Sequence, residues 1–272
     1  MENSFALQET APGRRPAPSR CGGDPFVLRD GGLELRLAKT HLETVEAQRL
    51  RFDVFTRELR LGLVSSRSLG LDQDAHDSHC DHLLVIDSAR DCLVGTYRLL
   101  PFDRLPSFGF YSESEFDLSN LKSSGLRLLE LGRSCVAQEY RDGRVILLLF
   151  RGIAEYLRRC GADALMGCAS VYGADEAELS AIQRMLLREH LSAPGLRVTP
   201  RRGFDIPLPP GPAPVDESSA FRRLPPLFKG YLRLGAKVCG PPAHDRQFGT
   251  TDFLVLARTA DIVQRYGRRF LA

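Results

Sequence analysis

The chain has 272 residues, 43% of them apolar and 26% charged, which is enough for a sizeable globular core. Its formal net charge of +3 is small, and no Lys/Arg run with interleaved aromatic residues accompanies it, so nucleic acid is excluded as a partner. Seven cysteines without a CxxC spacing favour a reduced, cytoplasmic setting over a disulfide framework. No uninterrupted apolar run approaches the roughly 20 residues of a membrane span, so any membrane contact would be peripheral.

The first half of the chain predicts a leader, a strand, a helix and a hairpin. Residues 1–32 are rich in Pro, Gly, Arg and Ser, and we expect a disordered leader there, with one domain over residues 33–272. Leu33–Ala38 predicts a strand, and the capping box Thr40-His41-Leu42-Glu43 begins a helix that extends to about Arg60. Residues 63–78 predict a loop. His82–Asp87 and Cys92–Leu100 then predict an antiparallel hairpin, before an irregular stretch over residues 101–125.

The central stretch predicts a βαβ crossover. A strand over Leu126–Val136 precedes a loop over Ala137–Arg144, a helix over Val145–Arg159 and a buried strand over Ala164–Ser170. The loop contains Arg141-Asp142-Gly143-Arg144 at the predicted helix N-terminus. Exposed backbone N–H groups, a glycine and two arginines at that place predict an anion-binding site.

The remaining elements complete a single α/β domain with a mixed, mostly antiparallel sheet and flanking helices. Many prolines in residues 192–226 predict a mobile flap or connector. The other predicted elements are helices over Asp175–His190, Pro225–Gly235 and Thr259–Phe270, and strands over Lys237–Gly240 and Thr251–Ala257.

Several segments of the chain resemble a known superfamily and one family within it. The arrangement is similar to the GNAT acyltransferases, although Gly143 stands one place early against the usual Gln/Arg-x-x-Gly-x-Gly/Ala loop. The wider pattern resembles the bacterial ornithine Nα-acyltransferases over about residues 33–270. It includes CDHLLVID at 80–87, VGTYRLL at 94–100, GFYSESEFDL at 109–118, LELGRSCV at 129–136, LMGCASVYG at 165–173 and KGYLRLGAKVCGPPAHD at 229–245. The same core is similar to the acyl-homoserine lactone synthases.

The resemblance implies an acyl carrier protein thioester as co-substrate, with no permanently bound cofactor, and ornithine as the amine acceptor. It implies a phosphopantetheine arm beside Leu129–Val136, with its phosphate at Arg141, Asp142, Gly143 and Arg144. The product implied is lyso-ornithine lipid. Basic residues that flank the proline-rich segment would dock the acidic carrier protein or anionic lipid headgroups. They are Arg201, Arg202, Arg222, Arg223, Lys229 and Arg233.

Glu130 is the first candidate for a general base, because it lies in an otherwise apolar strand. The alternatives are a structural ion pair with Arg133 or Arg98, or a role in orienting the substrate. A regular strand would point Glu130 and Arg133 to opposite faces, and a bulge at Gly132 would bring them together. The splayed sheet typical of the superfamily would leave backbone N–H groups of Ser134, Cys135 and Val136 for the thioester carbonyl.

Other charged and aromatic residues complete the predicted site. Arg98 would bind the acceptor α-carboxylate, in competition with Arg133, or else face solvent at a sheet edge. The acceptor δ-ammonium would bind Glu113, Glu115 or Asp117, each of which could equally be a solvated loop charge. Tyr172 would protonate the leaving thiolate or form an aromatic contact over the site.

Neither metal nor cysteine chemistry is predicted. The spacing His76-x-x-His79-x-x-His82 fits no established zinc pattern, and Cys135 and Cys168 lie in strands as small apolar residues. Two other functions stay open. One is an acyl-homoserine lactone synthase that uses S-adenosylmethionine, and the other is a non-catalytic module that binds acyl carrier protein or lipid.

Overall fold

The computed structural model describes residues 25–62, 64–206 and 217–262. The strands of these residues, in chain order, are β1 (Val27–Asp30), β2 (Leu33–Leu37), β3 (Asp81–Asp87), β4 (Cys92–Pro101), β5 (Phe116–Asp117), β6 (Leu128–Val136), β7 (Ala164–Val171), β8 (Thr199–Pro200), β9 (Lys237–Val238), β10 (Ala243–Asp245) and β11 (Thr250–Arg258). The α-helices are α1 (His41–Phe52), α2 (Val64–Leu69), α3 (Ser119–Ser123), α4 (Arg144–Cys160), α5 (Glu176–Glu189), α6 (Glu217–Arg223) and α7 (Pro226–Arg233).

Nine of these strands form one sheet in the order β1-β2-β3-β4-β6-β7-β11-β10, with β9 paired to β11. Neighbours in this sheet run antiparallel, except for β6 and β7, which run parallel. Helix α4 connects these two parallel strands, as a crossover requires. The predicted α/β fold, with a mixed, mostly antiparallel sheet and one βαβ unit, is confirmed.

Helix α1 begins as the sequence predicts. The Thr40 hydroxyl accepts a hydrogen bond from the Glu43 backbone N–H at 3.2 Å, and the Glu43 carboxylate accepts one from the Thr40 N–H at 3.1 Å. After Phe52 the helix widens into a π-helical segment, Asp53–Glu58. Such segments are frequent beside functional sites, and Val54 and Phe55 of this one face the cavity described below.

Helix α4 packs its apolar side on one face of the sheet and fixes the loop before it. Leu148, Leu149 and Ile153 are buried against residues of β2, β3 and β4. Gly143 precedes the helix with φ +98°, a left-handed conformation that glycine adopts without strain. Phe110, Phe116 and Leu121, from the segment between β4 and β6, pack in a separate core cluster with Leu128 of β6 and Leu254 of β11.

Several predicted boundaries are wrong or fall outside the described residues. The leader ends earlier than residue 32, because β1 pairs with β2 across a Gly31-Gly32 turn; its mostly exposed residues carry no apolar periodicity. The predicted loop of residues 63–78 contains α2. Residues 1–24, residues 207–216 of the proline-rich segment and residues 263–272, which include most of the predicted helix Thr259–Phe270, lie outside the described residues.

Candidate active site

Strands β6 and β7 separate halfway along their length. They pair only from Leu128–Glu130 to Ala164–Met166, and beyond these residues β6 keeps only its pairing with β4 and β7 only its pairing with β11. At the point of separation, a Cβ on Gly167 would lie 2.2 Å from the Leu131 carbonyl oxygen, so only glycine fits there. The splayed sheet predicted for this segment is confirmed, and it leaves one edge of residues 131–136 without a neighbouring strand.

A cavity of about 630 Å³ occupies this opening. Its walls come from the π-helical segment after α1, from β4, β6 and β7, from the loop before α4 and from the start of α7. The predicted site residues that line it are Arg98, Glu130, Arg133, Ser134, Cys135, Val136, Arg141, Gly143 and Tyr172. Most of the predicted constellation therefore faces one space.

A second, apolar cavity of about 70 Å³ adjoins the first. The two share wall residues, among them Leu131, Phe150 and Cys168. The hydroxyl groups of Tyr97 and Tyr231 form a short hydrogen bond with each other in this shared wall. The main cavity thus has an apolar extension under α4 with one polar pair at its entrance.

Glu130 is buried, 5% exposed, and is held by donors from the segment after β4. Its carboxylate accepts hydrogen bonds from the Tyr111 N–H at 2.7 Å and the Ser112 N–H at 2.8 Å, and also from the Ser112 hydroxyl. Each carboxylate oxygen can accept two bonds, and Oε2 accepts one of these three, so it keeps capacity for a water or an amine. The ion pairs expected with Arg98 or Arg133 are wrong: both arginines pair with other acids.

A β-bulge brings Arg133 to the same site as Glu130. Tyr97 of β4 faces two residues of β6, Arg133 and Ser134, and Arg133 adopts φ +52°. The Arg133 guanidinium lies 4.6 Å from the centre of the Tyr111 ring, and the Tyr111 backbone binds Glu130. The predicted bulge is confirmed, one residue beyond Gly132.

A buried network of three arginines and three aspartates forms one wall of the site. We call it the paired network: Arg51, Arg98 and Arg133 with Asp72, Asp74 and Asp77. Arg98 is 4% exposed, so the alternative of a solvent-facing edge arginine is wrong. Its Nη1 lies 2.7 Å from Asp74 and 2.9 Å from Asp77. Burial would raise the pKa of Asp77, but Arg51 and Arg98 hold it well below its usual range.

A second buried acidic group has no such partners. Glu115, Asp245 and Asp252, which we call the acidic triad, offer carboxylate oxygens that all lie within 4.8 Å of one another. Burial, followed by repulsion from Asp252 and Asp245, raises the pKa of Glu115 to about 9. Burial also raises the pKa of Asp252. Glu115 is thus the one member of the predicted loop acids that lies beside the cavity.

The other two predicted acids are wrong as site residues. Glu113 caps its own turn by accepting from the Phe110 N–H at 3.0 Å, and it pairs with Lys122 at 3.0 Å. Asp117 is exposed and accepts from the Ser119 N–H at 2.9 Å. Local capping explains both, since short acidic side chains readily bind the backbone of a following turn.

The loop before α4 contacts the cavity with only part of the predicted motif. Gly143 and Arg141 line it, but the Arg141 guanidinium is bound by Glu58 and donates to the Val136 carbonyl oxygen at 3.0 Å. Asp142 accepts from the Arg144 N–H at 2.9 Å, and Arg144 lies against Gly31. The loop therefore meets the cavity through its glycine and one engaged arginine.

The remaining predicted residues differ in exposure and reactivity. Tyr172 is 45% exposed at the rim of the cavity. Burial raises the pKa of Cys135 to about 12 and raises the pKa of Cys168 well above its usual value, which keeps both as thiols. Within the described residues, the acidic triad is the only group of His, Cys, Asp and Glu close enough to share a metal ion, and the spaced histidines do not form one.

Sequence reasoning missed six residues of this site: Asp72, Asp74, Asp77, Ser112, Asp245 and Asp252. Asp252 carried a usable signal, since it is an acid within an otherwise apolar strand, as Glu130 is. The three aspartates of the paired network lie in a polar segment that gave no sign of burial. Ser112 and Asp245 offered no signal that separates them from ordinary loop residues.

The fold and the splayed strands are those of the GNAT class of acyltransferases. A family model described as Acetyltransferase (GNAT) domain matches residues 50–151. The chain has the fold of an N-acyl amino acid synthase from uncultured soil microbes, with a TM-score of 0.51, 11% identity and coverage of 89% of this chain and 95% of that one.

Relatives of known name identify the family more closely. An L-ornithine N(alpha)-acyltransferase of Brucella abortus is 40% identical over 90% of this chain and 91% of its own length. One from Rhodobacter capsulatus is 38% identical over 86% of this chain and 92% of its own. The chain belongs to the L-ornithine N(alpha)-acyltransferase family.

Proposed function

We propose that this enzyme transfers a 3-hydroxyacyl chain from acyl carrier protein to the α-amine of L-ornithine and so forms lyso-ornithine lipid. The observation that carries the proposal is the cavity between β6 and β7, because it joins an unpaired strand edge to a fixed carboxylate. Relatives at about 40% identity named L-ornithine N(alpha)-acyltransferase support the acceptor. The proposal extends from the acceptor to the donor and to the residues of the reaction.

The thioester would lie along the free edge of β6. Ser134, Cys135 and Val136 line the cavity there, and backbone N–H groups on that edge would bind the carbonyl oxygen as negative charge develops on it. The acyl chain would enter the apolar cavity under α4. The paired hydroxyls of Tyr97 and Tyr231 offer its 3-hydroxyl a hydrogen-bonding partner at the entrance.

The amine would attack beside Glu130. The nitrogen forms a bond to the thioester carbon, Glu130 takes the amine proton directly or through a water, and the C–S bond then breaks. Tyr172, at the rim, would donate a proton to the departing thiolate. Arg133, with Arg98 behind it, is the guanidinium best placed for the acceptor α-carboxylate, in addition to its ion pairs with Asp72 and Asp74.

The phosphate of the pantetheine arm would bind at the N-terminus of α4. Gly143 has no side chain to block close approach, and a helix N-terminus favours an anion. Arg141 would contact the phosphate while its guanidinium stays ion-paired with Glu58. Asp142 and Arg144 would contribute through the conformation of the loop backbone. The Asp142 carboxylate stabilises this turn by accepting a hydrogen bond from the Arg144 N–H.

The carrier protein, which is acidic, would dock at the basic surface around α6 and α7. Arg222, Lys229 and Arg233 lie on these helices, and Pro225, Pro226 and Leu227 at the start of α7 line the cavity. No helix within the described residues has the length and apolar character needed to cross a bilayer. The same proposal includes a cytoplasmic protein whose basic surface makes peripheral contact with anionic lipid on the inner face of the membrane.

The test is release of thiol from 3-hydroxyacyl carrier protein by the purified chain, with ornithine, lysine, glycine and S-adenosylmethionine as alternative acceptors. We expect release with ornithine and a product with a blocked α-amine. Release that depends on S-adenosylmethionine would indicate a homoserine lactone synthase instead. Thioester binding without release for any acceptor would indicate a non-catalytic module.

A further inference from the structure

The acidic triad is buried at one end of the main cavity. Glu115 lies just before β5, Asp245 ends β10 and Asp252 belongs to β11. Their exposed fractions are 1%, 6% and 4%. Asp245 and Asp252 line the same cavity as Glu130, and Glu115 adjoins these two acids with a carboxylate oxygen within 4.8 Å of theirs.

Two atoms of the triad lack a hydrogen-bond donor from another part of the chain. Glu115 Oε1 and Asp252 Oδ1 are buried and accept no hydrogen bond from a donor of another residue, and only a proton shared by Glu115 and Asp252 links these two side chains. The other Asp252 oxygen accepts from the Thr250 hydroxyl at 3.0 Å, and Asp245 accepts from the Gln247 and Phe248 N–H groups at 2.8 and 2.9 Å. Burying a polar atom without a partner costs stability, so unpaired acceptors that face a cavity indicate a ligand with donors.

The charge of the triad indicates what kind of donor fits. Arg133 is the guanidinium whose charge reaches Glu115, and it is ion-paired with Asp72 and Asp74. Burial and mutual repulsion leave the triad holding a proton near neutral pH, as the raised pKa of Glu115 indicates. A cation that binds there would displace that proton and donate hydrogen bonds to Glu115 Oε1 and Asp252 Oδ1.

The triad is also close to the proposed reaction centre. The Cys168 thiol lies 3.8 Å from Glu115 Oε2 and 3.5 Å from the Ser112 hydroxyl, which in turn donates to Glu130. Only Ser112 and Cys168 stand between Glu130 and Glu115 in this series of contacts, which suits a short molecule with an amine at each end. An α,ω-diamino acid has this form.

We propose that Glu115, Asp245 and Asp252 bind the side-chain ammonium of the acceptor and so select a diamino acid over a neutral one. This inference rests on the proposed function and adds the residues that set its acceptor specificity. An ammonium group has three N–H donors, which match one oxygen from each acid. A hard divalent cation takes about six oxygen ligands or more, and hydrogen bonds already engage part of this set.

The experiment compares L-ornithine with L-norvaline, which is the same amino acid with hydrogen in place of the terminal ammonium. With 3-hydroxyacyl carrier protein as donor, we expect Asp252→Asn to lower kcat/KM for ornithine by about tenfold to a hundredfold and to leave that for norvaline within about twofold. Asp261→Asn, which removes an exposed carboxylate shortly after β11, is the matched control and should change neither value. Unchanged norvaline turnover also shows that the variant is folded.

A second variant guards against effects peculiar to one residue. Glu115→Gln should shift the ornithine-to-norvaline ratio in the same direction, with Glu176→Gln, an exposed acid on α5, as its control. Equal losses with both amino acids, or no loss with ornithine, would overturn the inference. Loss of turnover with both acceptors on chelation, restored by a divalent metal, would overturn it too and assign the triad to a metal.

Failure of the proposed function is distinguishable from failure of this inference. If the wild-type chain releases no thiol with ornithine, calorimetric binding of ornithine is measured instead. Binding that Asp252→Asn abolishes would support the triad while the proposed reaction fails. Absence of binding would overturn both.

Discussion

Two buried charged groups flank the same cavity, and they differ in one respect. The paired network contains three arginines against three aspartates, in contacts of about 3 Å. The acidic triad contains carboxyl groups only, and burial with mutual repulsion raises the pKa of Glu115 and that of Asp252. Both groups pay for desolvation, but only the paired network recovers that free energy within the chain.

The difference separates a structural role from a binding role. A buried network in which every aspartate forms an ion pair with an arginine fixes loops in place, here the segment before β3 against α1, β4 and β6. A buried group of carboxyls that lacks basic partners either stays protonated or binds a cation from solution. Glu130 lies between the two, held by Tyr111 and Ser112 and open to the cavity.

The largest expected effect concerns Glu130 itself. Glu130→Gln should lower kcat for thiol release with ornithine by about a hundredfold to ten-thousandfold, because a general base in the transition state contributes that much. Steady-state kinetics of thiol release with ornithine measure it.

Ser112→Ala is the matched comparison for that variant. It removes the hydroxyl that donates to Glu130 but keeps the carboxylate, so we expect a loss below about tenfold. Similar kinetic losses in the two variants, with similar falls in Tm, would mean that Glu130 holds the segment after β4 and is not the base.

The next effect tests the paired network. Asp77→Asn should lower the free energy of unfolding by about 3–5 kcal/mol, since Arg51 and Arg98 lose a buried counter-charge. In the wild type, the pKa of Asp77 is lowered, so its contribution is present above about pH 4 and is lost as the pH falls further. Urea unfolding at neutral pH measures the loss, with Asp30→Asn on exposed β1 as control.

An Asp77→Asn variant as stable as wild type would remove the contrast between the two groups. The ion pairs of the network would then contribute no net stability to the fold. Its aspartates would have to be reconsidered as ligands for the acceptor.

The sequence predicted the site unevenly, for a physical reason. Glu130, Arg98 and Arg133 stood out because a charge within an apolar strand must find a partner, and the bulge followed from Gly132 beside them. The partners themselves were assigned wrongly, since Asp72, Asp74 and Asp77 come from a polar segment whose burial depends on packing against α1. Capping roles for Glu113 and Asp117 likewise depend on local turns that strand and helix periodicity does not report.

The fold was predicted more completely than the site. Alternating and apolar runs identified β3, β4, β6, β7, β11 and the crossover helix α4, because these elements are long and buried. β1, β8 and β10 contain two to four residues each, which is too few to show the alternation of apolar and polar residues that identifies a strand.

A smaller effect concerns pH and the triad. Because the pKa of Glu115 is raised to about 9, the folded chain holds a proton there that the unfolded chain has released above its ordinary range near pH 4.5. Stability therefore falls with rising pH between these values. Asp252 and Asp245 drive the shift after burial, and Arg133 opposes it.

Glu115→Gln should remove this penalty. We expect the variant to gain about 1–3 kcal/mol over wild type at about pH 8, and less at about pH 5, measured by urea unfolding at both values. A gap that is independent of pH would show that Glu115 does not hold the extra proton. Saturating ornithine should raise the Tm of the wild type more than that of the variant.

The smallest effect concerns Cys168, which lies between the triad and Glu130. Its thiol is buried and makes long contacts of 3.5 and 3.8 Å with Ser112 and Glu115, so it packs as a small apolar group. Cys168→Ala should cost about 1 kcal/mol of stability and leave the ornithine-to-norvaline ratio unchanged, because the two ends of the acceptor are held by Glu130 and the triad independently. Cys168→Ser should restore a polar link and still not move the ratio. A changed ornithine-to-norvaline ratio in either variant would mean that the triad and Glu130 are energetically coupled. The triad and Glu130 would then form a single extended acidic site, not a binding group separate from a reaction centre.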